Sequence, residues 1–156
     1  MKTRRKSRLW LIPGIVLGCV VLSCILYLGS CHRASQAALD ALRSDEVLVE
    51  ETDYGWFFDG PSTDSVLVFY PGGKVEAAAY APLLHALAGE SMDVCLVKMP
   101  LNLAFLNMNA ASKILTETDY ENRYIGGHSL GGAAAEQQRR TIEAIDRWLS
   151  QAPNLP

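Results

Sequence analysis

Ser65-Val66-Leu67-Val68-Phe69-Tyr70 is a nearly continuous apolar run, closed by Pro71-Gly72-Gly73. A β-rich run of this length without polar alternation reads as a parallel strand covered on both faces. Asp93-Val94-Cys95-Leu96-Val97-Lys98 repeats the pattern and ends before Pro100, and Arg123-Tyr124-Ile125 is a shorter version that runs into glycines. Stretches with helical character at residues 76–88, 109–116 and 130–150 alternate with these strands, as a βαβ sheet requires. Residues 47–52 and 56–59, on either side of Tyr54-Gly55, read as an antiparallel pair that opens the sheet. Residues 36–43 read as a short helix. The pattern predicts an α/β domain with a mostly parallel sheet flanked by helices.

The N-terminal pattern differs. Lys2, Arg4, Arg5, Lys6 and Arg8 precede an uncharged apolar run over residues 9–29. That length suffices to cross a bilayer as a helix, and Pro13 and Gly14 are tolerated near its start. The basic cluster should stay cytoplasmic and place the rest outside. The expected organisation is a basic segment at 1–8, a transmembrane helix or signal anchor at 9–30, a juxtamembrane helix or linker at 31–45, and the α/β domain at 46–156. Leu28-Gly29-Ser30-Cys31 also resembles a lipoprotein cleavage box, which would make Cys31 a lipidated terminus. A cleaved signal peptide is the third reading.

Candidate chemistry lies at Gly126-Gly127-His128-Ser129-Leu130-Gly131-Gly132. Gly127-x-Ser129-x-Gly131 matches the nucleophile elbow, a tight strand-to-helix bend that projects a serine hydroxyl. Gly127 and Gly131 are needed there because side chains would collide with the neighbouring strand and helix. Leu130, at the start of the following helix, presents a backbone N–H suited to an oxyanion. The Pro71-Gly72-Gly73 loop after the central strand is where such sites place a second oxyanion donor.

Residues 69–83, residues 100–106 and the elbow together resemble a group of membrane-anchored α/β-hydrolase-fold proteins of Gram-positive bacteria. The resemblance covers residues 44–135. It implies a partial α/β-hydrolase fold, Ser129 as nucleophile, and Leu130 with Gly73 and Lys74 as backbone oxyanion donors. The partners it implies are a small acyl substrate and the membrane.

The usual catalytic order is serine, then acid, then histidine. Here His32, His85 and His128 all precede Ser129. His32 follows the apolar segment, and His85 lies mid-helix, where a packing or solvent-facing role is expected. His128 enters the elbow from a strand, so it and Ser129 point to opposite faces. The later acids Glu136, Glu143 and Asp146 share one helix with the apolar stripe Ile142, Ile145, Trp148 and Leu149. This C-terminal helix resembles the one that follows the catalytic histidine in the family. An internal deletion or a shortened gene that joins the elbow helix to the last helix is therefore expected, with a genuinely small protein whose helix simply continues as the competing reading, and the elbow strand becomes a sheet edge. The alternatives to an active serine hydrolase are a catalytically impaired pseudoenzyme and a non-catalytic, membrane-anchored binding remnant.

Charge and cysteines narrow the picture. The chain has 14 Lys/Arg, five of them before Leu9, which leaves nine against 17 Asp/Glu from His32 onward, or about −8. With no basic patch interleaved with aromatics, nucleic-acid binding is not expected. No metal-ligand spacing and no dinucleotide or P-loop glycine pattern occurs, so neither a metal nor a cofactor is expected. Of the four cysteines, Cys19 and Cys24 lie in the apolar segment, Cys31 at its end, and only Cys95 in the domain, where a buried core thiol is expected.

Overall fold

The computed structural model describes residues 4–61 and 64–151. It divides into two compact units, residues 1–31 and 32–156. The first is a single helix, α1 (Arg4–Gly29), with Pro13 inside it. Its apolar side chains from Ile12 to Tyr27 are exposed. Among the described residues no helix is long and apolar enough to cross a membrane. Lys2 and the side chains of Leu9, Trp10, Leu11 and Leu28, which belong to the expected basic cluster and span, lie outside the described residues.

The second unit contains α2 (Gln36–Ala41), β1 (Leu48–Thr52), β2 (Gly55–Asp59), β3 (Ser65–Tyr70), α3 (Ala81–Ser91), β4 (Asp93–Val97), α4 (Ala110–Thr116), β5 (Asn122–Gly127) and α5 (Leu130–Gln151). The five strands form one mixed sheet in the order β1-β2-β4-β3-β5. β3 pairs in parallel with both β4 and β5, while β2 runs antiparallel to β4 and to β1. The expected strands all form, within two residues of their expected ends.

The two-residue period of the strands divides the core. Val66, Val68, Tyr70, Cys95 and Val97 point to one face, where they meet Ala110, Ala111, Ile114 and Leu115 of α4 and Ala134 and Ala135 of α5. Phe69, Val94 and Leu96 point to the other, against Ala81, Leu84 and Ala88 of α3. Both faces are covered, which is why β3 and β4 carry apolar residues at every position after their first, Ser65 and Asp93. Cys95 is buried among them, and burial pushes its thiol up to about 11.

One segment differs from the sequence expectation. Residues 76–88 do not form one helix. A short 3-10 turn, Ala77–Tyr80, precedes α3, with Pro82 in the first turn of α3. Proline lacks an N–H and its ring crowds the carbonyl four residues back, so a continuous α-helix through Ala78 is blocked. Residues 32–45, expected as a juxtamembrane helix or linker, form the expected short helix as α2 and fall within the second unit. Ser35 caps α2 by accepting the Ala38 N–H at 3.2 Å, and Ala38 is buried. His32 forms an isolated parallel bridge with Val75, through His32 N–H to the Lys74 carbonyl at 2.7 Å and Glu76 N–H to the His32 carbonyl at 2.9 Å.

β5 is an edge of the sheet. Its first three residues are exposed, and Tyr124 is 50% exposed. α4 and α5 flank it across a groove of about 580 Å³ lined by Leu115, Arg123, Tyr124, Ile125, Arg139 and Ile142. Ile145, part of the expected apolar stripe of α5, is 52% exposed. The side chains of Trp148 and Leu149 lie outside the described residues. The middle of α5 carries ion pairs along its own surface, Arg139 with Glu136 and Glu143 and Arg140 with Glu136.

Candidate active site

β5 ends at Gly127 and α5 begins at Leu130, so His128 and Ser129 make the whole turn between strand and helix. Ser129 has φ of 53°, a left-handed conformation that side-chain-bearing residues rarely adopt. Such strain persists only where the surroundings over-determine it. Here His128 N–H donates to the Tyr70 carbonyl at 3.2 Å, Gly131 N–H to the His128 carbonyl at 2.9 Å, and Ala133 N–H to the Ser129 carbonyl at 3.1 Å. Together these bonds hold both ends of the bend. Ser129 is exposed at its apex.

The motif glycines are required by contact. A Cβ on Gly127 would lie 2.6 Å from the Gly131 carbonyl carbon and 2.7 Å from the Tyr70 carbonyl oxygen. A Cβ on Gly131 would lie 2.2 Å from the Tyr70 oxygen and 2.4 Å from the Pro71 oxygen. The helix start therefore rests directly on the backbone at the end of β3.

That close approach brings the 71–74 loop beside the elbow. A Cβ on Gly73 would lie 2.9 Å from Leu130 Cδ2, so Gly73 and Leu130, 57 positions apart in the sequence, are neighbours. Leu130 is the first residue of α5, and an N–H there has no partner within the helix. Among the described residues Gly73 N–H donates no hydrogen bond. Both amides can therefore serve an incoming oxygen. Lys74 differs from the expectation. Its N–H donates to the Asn102 carbonyl at 2.8 Å, and its φ of 60° turns the amide that way. Lys74 thus fixes the loop and is not placed to donate to an oxyanion.

The 100–106 loop sits on the same side through that bond. Leu101 and Asn102 have φ of 52° and 54°, and Leu101, Phe105 and Leu106 are exposed by 63%, 51% and 46%. An exposed apolar cluster on a strained loop is an uncommon surface for a small domain.

The histidines are not gathered at the serine. Among the described residues no side chain is hydrogen-bonded to Ser129 Oγ. His85 is buried in α3, its Nε2 without a partner among the described residues, which agrees with a packing role. His32 is exposed beside Val75. His128 directs its ring at Tyr80, with Tyr80 Oη 2.9 Å from His128 Nδ1. Glu136, Glu143 and Asp146 all lie along α5, the first two bound to arginines of the same helix. Tyr80 and Asn102, which secure the loops around the elbow, carry no signal in the sequence. Their partners lie 48 and 28 positions away, and no local pattern marks such pairings.

The model of the alpha/beta hydrolase family matches residues 66–152, more than half of the chain, and this span includes β3, the 71–74 loop and the whole elbow. No curated protein and no solved structure gave a match. With the strained serine, the close-packed glycines and the adjoining 71–74 loop all inside the matched span, the chain belongs to the alpha/beta hydrolase family.

Proposed function

We propose that the chain is a serine hydrolase of carboxylic-ester or related acyl bonds, with Ser129 as nucleophile. The observation that carries this reading is the exposed Ser129 at φ of 53°. In this mechanism Ser129 Oγ attacks the acyl carbon, and the N–H groups of Leu130 and Gly73 stabilise the oxygen that becomes negative. The serine proton passes to solvent or to a base supplied from outside, because no histidine side chain contacts Ser129 among the described residues. The exposed Leu101, Phe105 and Leu106 favour an apolar acyl group, since their loop is bonded to Lys74 next to Gly73.

A second reading, a catalytically impaired member of the family, is favoured by that same absence of a bonded base. Loss of a triad base costs on the order of 10⁶ in rate, while oxyanion binding alone leaves about 10³–10⁴ over water. An internal deletion after the elbow would account for it, and the uncovered β5 edge supports that origin. A fluorophosphonate probe separates the readings. Slow covalent labelling that disappears in Ser129→Ala is the expected result. No labelling of the unaltered chain at high probe concentration would rule out the hydrolase and leave a non-catalytic remnant.

We also propose that α1 holds the domain at the outer face of a membrane, as in the Gram-positive group the chain resembles. The uncharged run at residues 9–29 and the exposed apolar side chains from Ile12 to Tyr27 support this. Lipidation at Cys31 is the second route to the same attachment. In membranes from expressing cells the chain should stay in the pellet after carbonate washing. Release into the wash would refute attachment by either route.

A further inference from the structure

Gly73 is held between two neighbours whose amides are each bonded outside the loop. On one side Lys74 N–H is bonded to Asn102. On the other, Gly72 N–H donates to Tyr80 Oη at 3.1 Å, and Tyr80 Oη lies 2.9 Å from His128 Nδ1. A Cβ on Gly72 would lie 2.8 Å from that hydroxyl and 2.9 Å from that ring nitrogen, so the three groups are in contact without room for a side chain between them. The Tyr80 ring is fixed in turn. It packs against Phe69 at 5.2 Å between centroids and against the His128 ring at 5.9 Å.

Tyr80 Oη accepts the Gly72 N–H and shares a second hydrogen bond with His128 Nδ1, whose direction the histidine tautomer sets. The break in the helix at Pro82 is what permits this, because the 3-10 turn Ala77–Tyr80 carries Tyr80 at its last position, ahead of α3. The chain of bonds thus runs from the oxyanion loop to the residue immediately before the nucleophile. It joins the two halves of the oxyanion site through side chains, beside the backbone contacts that join them at Tyr70.

We propose that Tyr80 and His128 are positioning residues. They set Gly72, and with it the Gly73 N–H, against Leu130 so that both amides face one oxygen. The inference rests on the reading of Ser129 as nucleophile, and neither residue touches the substrate. It gives the histidine of the elbow a task other than the missing base.

The test compares Tyr80→Phe, His128→Ala and His128→Gln in the full chain, with two measurements. One is hydrogen exchange at the Gly72 amide, which requires no activity. The other is the rate of fluorophosphonate labelling of Ser129. One hydrogen bond contributes roughly 1 kcal/mol, so Tyr80→Phe and His128→Ala should speed exchange about fivefold and slow labelling about as much, with unchanged global melting. His128→Gln, whose amide oxygen can accept from the Tyr80 hydroxyl, should recover most of both. Unchanged exchange in Tyr80→Phe overturns the proposal. So does faster exchange with an unchanged labelling rate, or a glutamine variant as impaired as the alanine one. If the unaltered chain does not label at all, the nucleophile reading fails, and the exchange rates alone decide whether Tyr80 and His128 hold the loop.

Discussion

Gly131→Ala should destabilise the domain by about 4 kcal/mol or more, enough to abolish cooperative urea unfolding followed by circular dichroism. The added methyl would lie 2.2 Å from the Tyr70 oxygen, 2.4 Å from the Pro71 oxygen and 2.7 Å from the Tyr70 carbonyl carbon. All three are backbone atoms, so no rotamer change relieves the overlap. Tyr70 pairs with Gly127 in the β3–β5 ladder, and β3 is the strand with parallel neighbours on both sides. Either the ladder opens or α5 lifts away from Ala134 and Ala135, and each route exposes the core on that face. Gly89→Ala is the control. A Cβ there meets only Val47 Cγ2 at 3.5 Å, an ordinary contact, and alanine is the better helix former. Cooperative unfolding of Gly131→Ala near the stability of the unaltered chain would show that the elbow is not packed this way.

Tyr70→Phe should cost about 2–3 kcal/mol although it removes a single oxygen. Tyr70 is fully buried at the end of β3. Its hydroxyl donates to the Met108 carbonyl at 2.7 Å and accepts the Ala111 N–H at 2.8 Å. Ala111 is buried in the first turn of α4, where N–H groups have no helical partner, so the tyrosine acts as a cap supplied from the sheet. Phenylalanine keeps the packing and leaves that N–H and the Met108 carbonyl without their partner. Burial raises the ionisation of this phenol above its usual value, so the hydroxyl stays protonated and able to donate throughout the neutral range. The decisive measurement is the difference in unfolding free energy from urea titration. A loss under about 0.5 kcal/mol would mean that water replaces both bonds. Tyr80→Phe, by contrast, should leave the global melt unchanged, because its hydroxyl serves the loop and not a helix end.

Much of this protein was legible because its signals are local. Continuous apolar runs at 65–70 and 93–97 identify strands covered on both sides, and the structure shows the helices that cover them. The bend at Ser129 follows from glycines two positions to either side, since only that spacing lets a helix start against a strand end. The base missing after Ser129 was legible too, as an inventory of three histidines and their positions. Both glycine-bearing segments proposed to supply oxyanion donors stand out in the sequence, but the direction of the Lys74 amide does not. Lys74 was expected to donate to an oxyanion, but its N–H donates to the Asn102 carbonyl instead. A backbone amide's direction depends on φ and on an acceptor from another loop, and neither is encoded in the residues beside it.

The sequence by itself determined the strand and helix segments, the elbow with its strained serine and the absence of a later histidine, because each depends on residues within a few positions of one another. Only the tertiary structure decided that β4 lies between β2 and β3, that β5 is left as an edge, that residues 32–41 dock onto the domain, and that Tyr80 links Gly72 to His128. Those outcomes depend on which distant groups satisfy one another's hydrogen bonds and apolar surface, and chain folding alone selects the partner.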